Sequence, residues 1–189
     1  MNIINKIIPG LTDHDNKVEY LLVHHTGGEG GLDSSNQTFE IVRDFHVNTN
    51  GWTTIGYHYF IDKQGQIYQG RPDFFHGGHC TGSDMNHHSL GICLAGNFDV
   101  SLPSQAQIDS LTALLRSKMA EYNLTADKIV PHRHFANPYK SCFGTLLKDD
   151  WASNLVKLPP PTAPVADTSL NTLIKQKLAE LQGLVGKLT

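Results

Sequence analysis

Leu21-Leu22-Val23-His24-His25-Thr26 and Val130-Pro131-His132-Arg133-His134, the second running on to Lys140-Ser141-Cys142, decide how this chain reads. Residues 18–24 form a short apolar run stopped by Thr26-Gly27-Gly28, which is the pattern of a buried strand. His24 then sits at the strand's C-terminal end. Lys128-Ile129-Val130-Pro131 predicts a shorter strand that delivers His132, and Cys142 follows ten residues later. Two imidazoles and one thiolate make a three-ligand zinc site whose fourth position is open to water, the arrangement of a hydrolase. Taken singly, the same residues have plainer readings: two strand-end histidines and a small core cysteine.

Working outward, the pattern alternates between strands and helices. Thr38–His46 carries Phe39, Ile41, Val42 and Phe45 and suits an amphipathic helix. Residues 55–61 predict a strand. Asp62-Lys63-Gln64-Gly65 is a turn, and residues 66–70 return as the hairpin partner. Residues 71–88 are a long loop rich in Gly, His and Asp, of the kind that usually serves function. Ser89–Ala95 predicts another buried strand. Ser104-Gln105-Ala106-Gln107 is a capping box that opens a helix to about Tyr122, with Ile108, Leu111, Leu114, Leu115 and Met119 on one face. Residues 145–156 predict a last helix with Leu146, Leu147, Trp151 and Leu155 inward. The fold class expected is α/β, a mixed central β-sheet flanked by helices, the hairpin making the sheet mixed.

Residues 1–158 read as one domain. Pro159-Pro160-Pro161 and Pro164 mark a stiff linker over 159–168. In 169–189, Leu170, Leu173, Ile174, Leu178, Leu181, Leu184, Val185 and Leu188 recur at spacings of three and four. That predicts an amphipathic helix, open to self-association, to packing on its own domain or to docking on a partner.

Composition excludes some classes. The chain has 189 residues, 39% apolar and 17% charged, which fits a soluble globular protein. A net charge of −3 gives no general drive towards nucleic acid or anionic membrane. No apolar run approaches transmembrane length. The three cysteines, Cys80, Cys93 and Cys142, have no disulfide-framework spacing, which suggests a reducing compartment. The first ten residues are too short and too interrupted for a signal peptide.

Four motifs occur in one order: Val23-His24-His25-Thr26, Ile55-Gly56-Tyr57-His58-Tyr59, Asn86-His87-His88-Ser89-Leu90-Gly91-Ile92, and His132 followed by Lys140-Ser141-Cys142. Over roughly residues 15–156 this order resembles the zinc-dependent N-acetylmuramoyl-L-alanine amidases of the phage-lysozyme and peptidoglycan-recognition-protein family. The resemblance implies the amidase fold, one Zn²⁺ held by His24, His132 and Cys142, and catalytic roles for Tyr57 and Lys140. It places His79 and Asn86 near the substrate cleft. His25 is a neighbour pointing to the opposite face, since successive strand side chains alternate. His134 competes with His132, because many members space this ligand from the cysteine by eight residues. His132 is preferred because it directly follows the strand and some related amidases use ten. His58, Cys93 and Trp52 read as structural. The family often ends the last motif Cys-Pro-Gly; here it is Cys142-Phe143-Gly144.

The resemblance implies cleavage of the amide between N-acetylmuramic acid and L-alanine of peptidoglycan by a phage or prophage endolysin, held in the host bacterial cytoplasm before release to the wall. Two alternatives stand beside it. One is a non-catalytic peptidoglycan-binding module, and the other a cytoplasmic amidase recycling soluble muropeptides. Neither nucleic acid binding nor membrane insertion is expected.

Overall fold

In a computed structural model, the structure describes residues 1–28 and 34–157, together with Lys177. The chain divides into two compact units, Met1–Leu158 and Pro159–Thr189. The expected linker at 159–168 and, Lys177 apart, the expected helix at 169–189 lie outside the described residues.

Six strands form one sheet: β1 (Ile3–Asn5), β2 (Tyr20–His25), β3 (Tyr59–Ile61), β4 (Ile67–Gln69), β5 (Ser89–Leu94) and β6 (Ile129–Pro131). Their order is β1-β4-β3-β5-β2-β6. All neighbours are parallel except the β3–β4 hairpin, so the sheet is mixed as its hairpin sequence requires. The turn Asp62–Gly65 closes it, with the Asp62 carboxylate accepting from the Gln64 and Gln66 amides. Among the described residues of the first unit, three helices cover the sheet: α1 (Phe39–Asn48), α2 (Gln105–Tyr122) and α3 (Trp151–Lys157). Among the described residues no helix is long and apolar enough to cross a membrane.

Strand alternation sorts the core into two faces. Leu21 and Val23 of β2 and Leu90, Ile92 and Leu94 of β5 join Leu111, Leu114 and Leu115 of α2 and Ala152 of α3. On the opposite face Phe60 and Cys93 pack with Phe39 and Val42 of α1, and Leu22 packs with Cys80 and Met85. His24 shares the face of Leu22, and His25 that of Val23. The Ser104–Gln107 capping box opens α2 as expected, and Asn123 closes it in the left-handed conformation.

Four expectations need correction. The strand expected at 55–61 is regular only from Tyr59: His58 still donates to Gly91 of β5 and accepts from the Gly70 amide, but the Gly56 carbonyl accepts from the loop amide of Gly78. In α1, Ile41 and Phe45 are more than half exposed, and His46 takes the inward position one turn after Val42. The last helix starts at Trp151, not 145. The Arg133 guanidinium takes the carbonyls of Ser141, Gly144 and Leu147, so the segment before Trp151 is held as turns. Leu146 is exposed there, although Leu147 is buried. β1 is a three-residue edge strand beside β4 that the opening run of isoleucines does not mark by any period.

Candidate metal centre

The site lies where the parallel strands β2 and β6 end side by side. Val23 pairs with Pro131, so the next residue on one strand, His24, and the next on the other, His132, emerge at the same level. Their ring centroids are 4.4 Å apart. Proline suits the end of β6, where no further ladder N–H is needed. The chain turns through a short 3₁₀ segment at His132–His134 and returns at Cys142. Cys142 Sγ stands 3.8 Å from His24 Nδ1, and the ligand atoms of His24, His132 and Cys142 all lie within 4.8 Å of one another. His134 is exposed and stacks edge-on to Phe135, away from this point. His25 turns the other way, and its Nδ1 accepts from the Phe98 amide at 2.9 Å.

The donor set suits a cation. Burial and the neighbouring positive groups push His24 well down, and burial pushes His132 down to about 4. Both imidazoles therefore keep a lone pair at neutral pH. Burial pushes the Cys142 thiol up to about 12, so its proton leaves only against a nearby positive charge. The His25 backbone N–H points at Cys142 Sγ at 3.4 Å, a donor ready for the thiolate. Two nitrogens and one sulfur form a borderline-soft set.

His24 is oriented from behind. Its Nε2 lies 3.1 Å from His79 Nδ1, leaving Nδ1 to face the cluster. If His24 held an ion through Nδ1, its Nε2–H would donate to His79, and His79 would carry its own proton on Nε2. That Nε2 is buried without a partner of good geometry, the Ser89 backbone being the group that favours its charged form. The His79 ring needs room on both sides, and glycines provide it. A Cβ at Gly77 or Gly91 would come within 2.4 Å of His79 Cδ2. Asn86 holds the same loop, its Oδ1 accepting from the His79 and Cys80 amides at 2.8 and 2.9 Å.

A cavity of about 360 Å³ opens over the cluster, lined by Tyr57, His79, Lys140 and the three ligand candidates, together with His46 and Trp52. It shares Trp52, His79, His132 and Lys140 with a wider cleft of about 750 Å³ that also touches Asn86 and Asn137. Tyr57 is held protonated, first by burial and then by Cys93 and Cys142. Its ring lies 5.2 Å from that of His24. Lys140 is exposed at the rim. The structure thus brings all seven expected site residues to one cleft, although the Asn86 oxygen is committed to the loop. His58 and Cys93 do not line it; they are buried behind it, His58 beside the His79 ring at 5.6 Å and Cys93 beside Tyr57. Trp52 belongs to the cleft, its ring tilted against that of His46 at 4.7 Å, and His46 Nδ1 accepts from the Gly56 amide. A histidine one helical turn after Val42 was the signal for that wall.

Known proteins are similar to this chain in sequence and in fold. The family model described as N-acetylmuramoyl-L-alanine amidase matches residues 14–145. The endolysin of Escherichia phage T7 is 32% identical over 127 residues, covering 64% of this chain and 79% of its own length. A peptidoglycan-recognition protein of Drosophila melanogaster is 28% identical over 133 residues, 69% of this chain and 70% of that protein. Among solved structures, the N-acetylmuramoyl-L-alanine amidase LysC from Clostridium intestinale URNW superposes with a TM-score of 0.70 at 27% identity, over 84% of this chain and 99% of that one. A match spanning both histidine-bearing strands and the cysteine loop, in sequence and in fold, establishes that the chain belongs to the N-acetylmuramoyl-L-alanine amidase family.

Proposed function

We propose that the chain is a zinc-dependent amidase that cuts the amide between N-acetylmuramic acid and L-alanine in peptidoglycan, acting as a phage or prophage endolysin. The observation that carries this reading is the convergence of His24, His132 and Cys142 under an open cleft, with a phenol and an ammonium on its walls. When bound, Zn²⁺ would supply Lewis acidity towards a water and a carbonyl. The chain's own residues supply the rest. His79 fixes the His24 ring, and the His25 amide steadies the Cys142 sulfur. The Tyr57 hydroxyl and the Lys140 ammonium on the cavity wall are the donors we assign to the oxygen on which negative charge grows, each such donor being worth about 2.7–4 kcal/mol in comparable sites. Tyr57, kept protonated by burial, can also act as a relay, taking up the proton that the attacking water loses as its own passes to the departing amine. The wider cleft, at about 750 Å³, has room for a muropeptide segment.

The test is digestion of purified peptidoglycan with and without a zinc chelator, following new N-terminal alanine and new reducing ends separately. Alanine amines that appear only without chelator are expected. Cys142→Ser should lose the ion of this site and the cleavage together. Reducing ends would make it a glycosidase. The recognition-protein relative favours a second reading, a binding module. Sacculus binding with neither product would establish that instead.

A further inference from the structure

A second group of ligand-type side chains lies outside the cluster described above. We propose that Asp15, His76 and His87 form another divalent-cation site, for a borderline transition metal such as Zn²⁺, on the loop that walls the cleft. The ligand atoms of these three residues lie within 4.8 Å of one another. Asp15 Oδ2 is 2.8 Å from His76 Nδ1 and 3.7 Å from His87 Nε2. Donors around a tetrahedral zinc stand about 3.3 Å apart, so the two distances bracket the spacing a zinc ion imposes.

The orientation of the His87 ring points the same way. Asp84 Oδ1 lies 2.9 Å from His87 Nδ1, and a carboxylate only accepts, so Nδ1 carries the hydrogen. The other ring nitrogen, Nε2, faces the Asp15 carboxylate across 3.7 Å, a gap that a metal ion can fill. The Asp84–His87 bond is also the outer-shell contact that orients metal-ligating imidazoles. Asp84 reaches it from a left-handed backbone conformation, φ 58°, next to Ser83 at φ 51°. On binding, His76 gives up its hydrogen bond to Asp15 and carries its proton on Nε2 instead.

The three segments are already tied. The Asp15 and Asn16 amides donate to the Phe74 carbonyl, and the Lys17 amide donates to that of His87. Asp15 Oδ1 accepts from the His76 amide at 2.9 Å, which leaves Oδ2 for the ion. Each of the three side chains is at least a third exposed, so an ion can enter. His79 and Asn86 lie between His76 and His87 in sequence, so the ion would clamp the loop that carries the His24 partner to the N-terminal segment.

Full-length protein stripped of metal is titrated with Zn²⁺ by calorimetry, and bound metal is counted after gel filtration. The wild type should bind two ions per chain. His87→Ala should bind one, and Cys142→Ser should bind one of the other kind. Asp84→Asn should keep two with the weaker site about 10–100-fold weaker. Asp15→Asn, which keeps an oxygen for the His76 amide, should also drop to one. A wild type holding a single ion that Cys142→Ser abolishes overturns the proposal, as does a His87→Ala protein with undiminished stoichiometry. A wild type holding a single ion that His87→Ala abolishes and Cys142→Ser keeps would refute the amidase centre and leave this one standing.

Discussion

His24 and His25 show how far a single residue can be read. Strand alternation by itself sends them to opposite faces, and the fold places one ring in the cleft and the other on the Phe98 amide. His79 was legible only as a loop histidine near the cleft. Its contact with His24 joins residues 55 positions apart, and no local pattern encodes it. The two glycines that make room for its ring have other plausible uses in a sequence. The contact has a consequence. His79→Ala leaves the His24 Nε2–H without an acceptor, so zinc affinity, measured by chelator competition, should fall about 10–100-fold. His79→Asn, which can return an oxygen near the Nδ1 position, should recover part of the loss. Equal affinities for all three proteins would remove His79 from this role. Lys140 is different, because it is exposed and touches no core. Lys140→Met should lower kcat by about 10²–10³-fold with melting temperature and zinc content unchanged. A loss confined to KM would make it a substrate anchor instead.

Elements with clean periods were legible: β2, β5, the hairpin and α2 with its capping box all stand close to where their patterns put them. Boundaries failed where a side chain from elsewhere took the backbone. The start of α3 is the clearest case, since Arg133 donates to three carbonyls of the Cys142 loop and pairs with Asp149 at 2.6 Å. In sequence this arginine is only the residue between two histidines. In the structure it fixes the loop that presents Cys142. Its flat fork reaches several acceptors at once, which a lysine cannot do. Arg133→Lys should therefore cost about 3 kcal/mol in urea unfolding, given about 1.5–3 kcal/mol for each hydrogen bond to a charged group and partial replacement by the ammonium. The same substitution should weaken zinc binding, because the sulfur loses its fixed position. Unchanged stability would mean that the loop is held by Phe143, whose side chain is fully buried.

At the scale of the whole molecule, the sequence implies an α/β sheet, but not the strand order that puts β2 between β5 and β6. That order joins His24 to His132, and it also buries histidines deep in the domain. His58 is fully buried, accepting from the Gly91 amide through Nδ1 and donating to the Phe75 carbonyl through Nε2. Burial lowers it to about 4, and does the same for His46 and His25. In the unfolded chain each would titrate near 6.5. Between these values the unfolded state binds protons that the folded state refuses, so stability must fall as the pH drops from about 6.5 towards 4. Each such histidine removes up to about 1.4 kcal/mol per pH unit, and His58 alone about 3 kcal/mol across the window. The carboxylates whose values are lowered, such as Asp99 and Glu40, act in another range. Their contribution is present above their unfolded values and is lost only below about 4.5. Urea midpoints of the metal-free protein at pH 7.5, 6.5, 5.5 and 4.5 should therefore change little in the first step and fall steeply in the next two. A midpoint that stays level from pH 6.5 to 4.5 would mean that these histidines accept protons in the folded state. The Gly91–His58 and Gly56–His46 hydrogen bonds, which need unprotonated rings, would then be wrong.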